Sequence, residues 1–385
     1  TLAPGNNSAV ATISNVNGGA DEDANDDVKT IQINPAVPAP GKIVVAEEGT
    51  GTWCPWCVRG AVFMDELSTR YEGYYAGIAV HNADPMTVAA YDAAIGAQIS
   101  GYPSGLVDRN GTEYDPSQFE IPFLERIQIA PMAYIQNGAN WDATTRVLQV
   151  SATTTFQQSA TGNYKIALVL TEDGVTGTTA DYNQANAYAG GANGEMGGYE
   201  SLPNPVPAAQ MVYDHVARVI SPSFDGLDNA FNGATAAGNS STHNFTFDIP
   251  ESWNTDEMHI IAMVIAPTGE IDNASFTTIG DAITNGFVAG MPVLSVTQLN
   301  QPDANFSIYP VPAKESCTLS MHFDRAQDVQ IDIYNMMGQK VSGGQYFQLF
   351  GSMQLNIPME SWNSGAYIAR ITTPYGAFTR TLIKE

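Results

Sequence analysis

Two cysteines in Trp53-Cys54-Pro55-Trp56-Cys57 stand between a short apolar run and an amphipathic one, and no other feature of the 385 residues restricts the local fold so tightly. Upstream, Ile43-Val44-Val45-Ala46 reads as a buried strand running into the turn residues Gly49-Thr50-Gly51. Downstream, Phe63, Leu67 and Tyr71 fall at i, i+4 and i+8, with Val58, Ala61 and Val62 on a second face, which predicts a helix packed on a sheet. A C-x-x-C pair at such a junction puts the first sulfur at a helix N-terminus, where unpaired N–H groups and the dipole stabilise a thiolate. Cys54 is then the nucleophile, and Cys57, one helical turn on, is the resolving thiol that releases a mixed disulfide. Glu48, at the end of the strand, is placed to accept the Cys57 proton. A satisfied carboxylate at a strand end is the competing account of Glu48, and both stay open.

Beyond this helix the chain alternates between strand and helix signals. Gly77-Ile78-Ala79-Val80 predicts a strand, and the alanine stripe Ala89, Ala90, Ala93, Ala94, Ala97 a helix. Asn110-Gly111, between Leu106-Val107-Asp108 and Thr112-Glu113-Tyr114, predicts a hairpin, and Pro122 opens a last helix with Phe123, Leu124 and Ile127. Pro103, in Tyr102-Pro103, is a candidate cis proline facing the cysteines, which would leave the Tyr102 backbone free to pair with an extended substrate; an X-Pro bond is trans by default.

From residue 130 to about 292 the signal is mostly strand. Leu148, Val150, Ala152, Thr154 and Phe156 alternate, as do Ile166, Leu168 and Leu170, and Phe245, Phe247 and Ile249. Ile260 to Ala266 is apolar throughout and should be a central strand. Thr176 to Gly198 reads as a loop, while Val212, Val216 and Ile220 fit a helix or a strand equally. A β-sandwich is the economical architecture for this stretch. After a boundary near Gln301-Pro302, the alternating sets around Leu319, Val329 and Met353, with turns at Met337-Gly338, Gly343-Gly344 and Tyr375-Gly376, predict a second sandwich of about seven strands.

Charge narrows the function classes. With 15 Lys and Arg against 40 Asp and Glu, the net charge is −25, which repels phosphate backbones and anionic lipid headgroups, so neither nucleic acid nor a membrane surface is an expected partner. No long apolar run is present to span a bilayer, and the start at Thr1, without a basic stretch or apolar core, is expected of a chain whose export signal has been removed. The first forty residues read as an acidic arm, one strand near Ile31 and Ile33, and a stiff linker through Pro35, Pro38 and Pro40. Asp21-x-Asp23-x-Asn25 begins like a calcium loop, but Asp26 stands where Gly is needed and Gln32 where Glu is needed, so the arm is read as solvated. No cofactor motif and no metal site is expected, and hydrolase, kinase and zinc-enzyme signatures do not occur.

The strand, Trp-Cys-Pro-x-Cys, helix and later proline resemble the thioredoxin-like superfamily. More narrowly, Glu48-Gly49-Thr50-Gly51-Thr52-Trp53-Cys54, His81-Asn82 with Asp84-Pro85-Met86, Gly101-Tyr102-Pro103-Ser104-Gly105, and the stretch from Pro205 to Arg218 resemble the thioredoxin-like outer-membrane protein family of Bacteroidota. That resemblance implies an exported, surface-associated protein. The tail, through Ile308-Tyr309-Pro310-Val311-Pro312-Ala313, Ile333-Tyr334-Asn335-Met336-Met337-Gly338-Gln339, Gly365-Ala366-Tyr367-Ile368-Ala369-Arg370 and the basic Lys384, resembles the sorting domain read by the type IX secretion system; Val311 replaces the usual Asn. It implies the secretion machinery as a partner of residues 305–385. The fold class expected is α/β plus all-β: an arm (1–40), a thioredoxin-like domain (41–128), a β-sandwich (129–300) and a sorting β-sandwich (301–385).

Two functions remain. One is a secreted thiol–disulfide oxidoreductase acting on protein thiols or disulfides through Cys54, Cys57, Glu48 and Pro103. The other is a non-enzymatic surface or filament subunit with a structural disulfide, self-associating by strand addition through its arm. His81 is either a modulator of Cys54 or a loop-capping residue, and Cys317 is expected to be a small buried hydrophobe.

Overall fold

The computed structural model describes residues 7–12, 28–33, 35–231, 235–293, 304–335, 339–373 and 376–385. The acidic run Asp21 to Asp27 with its candidate calcium positions, the boundary at Gln301-Pro302, and the turn residues Met337, Gly338 and Tyr375 lie outside them. Among the described residues strand accounts for 45% and helix for 15%, so sheets supply the layers. Among the described residues of the first forty there are two strands where one was expected: β1 (Asn7–Thr12) and β2 (Val28–Ile33) pair antiparallel, and among the described residues only with each other.

The cysteine pair lies between β3 (Val44–Thr50) and α1 (Val58–Arg70), followed by β4 (Tyr75–His81), α2 (Ala89–Gly96), β5 (Ser104–Val107), β6 (Glu113–Tyr114) and α3 (Glu120–Arg126). The strands after it are β7 (Ala133–Asp142), β8 (Val147–Phe156), β9 (Lys165–Glu172), β10 (Val216–Ser221), β11 (Ser240–Asp248), β12 (Met258–Ile265) and β13 (Ile271–Thr278), then α4 (Ile279–Asn285) and β14 (Met291–Pro292). One eight-stranded sheet runs β13-β12-β9-β10-β4-β3-β5-β6, and a second runs β14-β11-β8-β7. The expected boundary between residues 128 and 129 therefore does not separate two sheets. β3 and β4 pair in parallel and leave one edge of β4 unfilled; β10 fills it, also in parallel, with Val216 opposite Ala79. The ambiguity at Val216 and Ile220 is thus resolved as strand.

The apolar run at β12 is central, as its composition required: Ile260, Ala262 and Val264 face the second sheet, while Ile261, Met263 and Ile265 face the other side. The sandwich exists, but one of its layers is the distal half of the eight-stranded sheet, and α1 and α3 occupy the same face beside it. Two helix faces differ from expectation. In α1 Met64 is buried and Phe63 only partly so, and in α2 the buried side chains are Tyr91 and Ile95 rather than the alanine stripe. Alanines carry too little area to decide which face of a two-turn helix packs; one Tyr and one Ile carry more. Where the two sheets meet, the buried Lys42 ammonium pairs with Asp108 at 2.6 Å and donates to the Asp272 carbonyl at 2.8 Å.

The described residues of the tail form five strands rather than about seven: β15 (Ala304–Tyr309), β16 (Ser316–Asn335), β17 (Lys340–Pro358), β18 (Gly365–Thr373) and β19 (Gly376–Lys384). β16 and β17 are continuous through what the alternation split in two, and Gly343-Gly344 lies inside β17 instead of turning the chain. Cys317 is a free, buried thiol in this core, and its apolar surroundings push its pKa up.

Candidate active site

Cys54 and Cys57 form a disulfide at the entry to α1, with Cα atoms 5.4 Å apart. The chain reaches them through a tight turn in which the Cys54 N–H donates to the Gly51 carbonyl at 3.1 Å and the Cys57 N–H to the Cys54 carbonyl at 3.2 Å. Asp84 braces the turn from the far side, accepting from the Thr52 N–H at 3.0 Å and from His81 Nδ1 at 2.6 Å. His81 therefore sits as the loop-capping account has it, although its ring also lines a cavity shared with Cys57.

Glu48 points under α1 and is 1% exposed. The helix can pass over it because residue 60 is glycine: a Cβ there would overlap both carboxyl oxygens. Burial pushes the Glu48 pKa well above the usual carboxylate range; a hydroxyl contact from Thr50 pulls it back in part, Asp115 adds to the rise, and Arg59 opposes it. Oε1 has no hydrogen-bond partner. Arg59 itself pairs with Asp115 at 2.8 Å and stands 5.5 Å from the centre of the Trp56 ring.

The Tyr102–Pro103 bond is cis, and Pro103 leads into β5, whose first residue Ser104 pairs with Gly49 next to Glu48. Tyr102 packs edge-on against Trp53 with ring centres 5.5 Å apart. The structure thus gathers Cys54, Cys57 and Glu48 around one helix start and brings Pro103 to the same end of the sheet.

A strap absent from the sequence reading covers the pair. Within the stretch expected to be loop, the Ala185 N–H donates to the Thr52 carbonyl and the Ala187 N–H to the Pro55 carbonyl, both at 2.8 Å, and Gln184 Nε2 donates to the Cys54 carbonyl at 2.9 Å. Tyr188 lies edge-on to Trp56 and joins Val58 and Met196 in a small core. Cys54 is left 1% exposed and Cys57 3%, while the flanking Trp53 and Trp56 are 48% and 40% exposed. Behind the disulfide lies a cavity of about 30 Å3 lined by Glu48, Cys57, His81, Gln184, Tyr213 and His215 among others.

Three of these residues were missed. Gly60 carried a legible signal, a glycine in a helix interior where it costs about 1 kcal/mol relative to Ala. His215 falls within the Pro205 to Arg218 motif without any spacing that ties it to the cysteines, and Gln184 sits in a stretch with no periodicity at all. Among the described residues no three His, Cys, Asp or Glu side chains converge where a metal ion could sit, and no helix is long and apolar enough to cross a membrane.

The family described as outer membrane protein Omp28 matches residues 89–281, and the secretion system C-terminal sorting domain matches residues 307–385. No curated protein matches the chain. Among solved structures, HBP35 of Porphyromonas gingivalis is 15% identical over 90% of this chain and 99% of that one, with a TM-score of 0.48. A protein of Agrobacterium tumefaciens is 10% identical over 63% and 96%, at 0.38. Dimeric latent PorU from P. gingivalis is 14% identical over 66% of this chain and 20% of its own length, at 0.19.

Proposed function

From the premise that the chain belongs to the outer membrane protein Omp28 family and ends in a type IX secretion sorting domain, which make it a secreted cell-surface or outer-membrane protein, we propose that it is a thioredoxin-like thiol–disulfide oxidoreductase. Cys54 is the attacking sulfur, Cys57 the resolving one, Glu48 the acid–base group for Cys57, and Pro103 the residue that shapes the substrate-facing loop. The order β4-β3-β5-β6, with α1 directly after the cysteines, supports the thioredoxin-like reading of this part. One observation carries the chemistry: a carboxyl buried beside Cys57, its pKa pushed up by burial and one oxygen left unpaired. An unsatisfied buried polar group costs about 1–3 kcal/mol. A structural disulfide has no use for it, whereas the Cys57 thiolate released on reduction needs a proton donor at that spot. Partners in this reading are protein thiols or disulfides. The test is disulfide exchange with a dithiol-coupled model substrate: Cys54→Ser should abolish it and Glu48→Gln slow it at neutral pH, and unchanged activity in Cys54→Ser would sink the proposal.

A second reading is favoured by the 1% exposure of Cys54 under the strap. Here the disulfide is structural and the protein is a surface or filament subunit. The isolated β1–β2 ribbon, whose Val10 and Ile31 are exposed, would add to a neighbouring copy's sheet, since a lone two-stranded ribbon is marginal in water. Deleting residues 1–40 should then reduce particle size in scattering; an unchanged size excludes assembly through the ribbon.

A further inference from the structure

His215 is out of place by every local rule. It is not glycine, yet its backbone sits at φ +59°, and it is a nearly buried imidazole at the start of a central strand. Its backbone is committed to the sheet, with its carbonyl accepting from the Ala79 N–H at 2.7 Å and its N–H donating to Asp173 at 2.6 Å. The ring is left to face three carboxylates. Asp65 from α1 stands 3.2 Å from Nε2, without hydrogen-bond alignment; Asp173, after β9, stands 3.8 Å from Nδ1; and Asp214 precedes it in the chain. His259 from β12 shares Asp173, at 3.6 Å.

Although burial by itself lowers an imidazole pKa, these carboxylates hold that of His215 above its ordinary value. The other side of the ring's surroundings is the small cavity behind the disulfide, which His215 shares with Cys57 and Glu48. Two atoms of residues lining this cavity, Glu48 Oε1 and His215 Nε2, lack a hydrogen bond, and its volume of about 30 Å3 leaves room for water. The groups that shift Glu48 besides burial are Thr50, Asp115 and Arg59, and the Tyr75 phenol, itself unpaired, lies in the field of both Glu48 and Asp65.

We propose that His215 is the positioning residue for Glu48: its imidazolium, anchored by Asp65 and Asp173, supports through the cavity the carboxylate that forms when Glu48 gives its proton to Cys57. This rests on the oxidoreductase reading. In the step concerned, a thiolate of an external dithiol attacks Cys54 Sγ, and the Cys54–Cys57 bond breaks with its electron pair going to Cys57 Sγ. The Glu48 proton moves to that sulfur, leaving a carboxylate. The second thiol of the dithiol then displaces Cys54, so the dithiol is oxidised to its disulfide and the protein gains two electrons. A cation at the same cavity lowers the energy of the Glu48 carboxylate relative to the acid, easing release of the proton that burial favours.

The test follows the Glu48 carboxyl by carbon NMR in the full chain labelled at glutamate and reduced with dithiothreitol, with Glu48→Gln identifying the signal. In His215→Gln the Glu48 midpoint should rise by about one unit, a tenfold change in proton affinity. Coupling is reciprocal, so in Glu48→Gln, which keeps His215 in place, the His215 ring should titrate lower by a comparable amount. Both shifts together establish the pairing. No shift in Glu48→Gln overturns it, whether or not His215→Gln folds. A Glu48 that titrates in the ordinary carboxylate range in the reduced wild type instead removes the acid–base reading beneath it, and an unaltered Glu48 midpoint in folded His215→Gln overturns only the role of His215.

Discussion

Replacing Gly60 by alanine tests most directly how closely Glu48 approaches α1. On an open helix face the change stabilises by about 1 kcal/mol, because glycine gives up more backbone freedom on folding. At residue 60 the added Cβ would overlap Oε1, Cδ and Oε2 of Glu48 together. Neither partner yields easily, since Glu48 is held in β3 at 1% exposure and Gly60 donates its N–H to the Cys57 carbonyl at 3.0 Å. Overpacking a filled site costs about 1–3 kcal/mol, and overlap with a whole carboxyl group belongs at the upper end, so the net effect should be a loss of about 2 kcal/mol. In a Glu48→Ala background the obstacle is gone, and Gly60→Ala should stabilise by about 1 kcal/mol, a coupling of about 3 kcal/mol. Unfolding by heat and by urea, followed through the fluorescence of Trp53 and Trp56 beside the disulfide, reads all four corners of the cycle. If Gly60→Ala stabilises the protein equally with and without the Glu48 carboxyl, the packing described for this site is wrong.

Three other outcomes follow from the same geometry. Gln184→Ala removes the side-chain bond to the Cys54 carbonyl, a loss of about 1 kcal/mol to the strap, and should speed reduction of the disulfide by dithiothreitol about fivefold, read by alkylation of the released thiols. Because the Glu48 pKa is raised on folding, the native state holds a proton that the unfolded chain loses. Its contribution is complete below about pH 4.5 and declines as pH rises toward the folded value, so stability measured from pH 4 to 8 should fall less steeply in Glu48→Gln than in wild type. Lys42→Met leaves Asp108 buried with only Arg126, at 3.2 Å, to balance it, and should cost about 3 kcal/mol in thermal unfolding; a loss below about 1 kcal/mol would show that Arg126 compensates fully.

What the sequence revealed and what it hid divide by distance along the chain. Glu48, Cys54, Cys57, α1 and the hairpin after Pro103 are legible because each rests on spacings of a few residues, where turn chemistry and periodicity act. The strand character of β8, β9, β11 and β12 is legible for the same reason. Their partners are not: nothing local says that Val216 pairs with Ala79, so a sheet crossing residue 128 reads as two domains. Gln184 is harder still, because its contact with Cys54 spans 130 positions and its neighbours are small polar residues whose conformation is set by what they lie against. In the tail the alternation reads as separate short stretches around Leu319 and Val329, whereas β16 absorbs its irregularities as register shifts near Phe323 and Gln327 and continues.

The strap and β10 also impose an order of events. The strap over Cys54 and Cys57 and the strand that fills the edge of β4 come from residues 181–221, so the first half of the eight-stranded sheet stays unfinished until residues far along the chain have emerged. During that interval the two thiols are open to any oxidant or isomerase, and afterwards a reductant must displace the strap to reach them. Oxidation of the pair is therefore easiest while the chain folds, and displacement of the strap sets the pace of every later exchange.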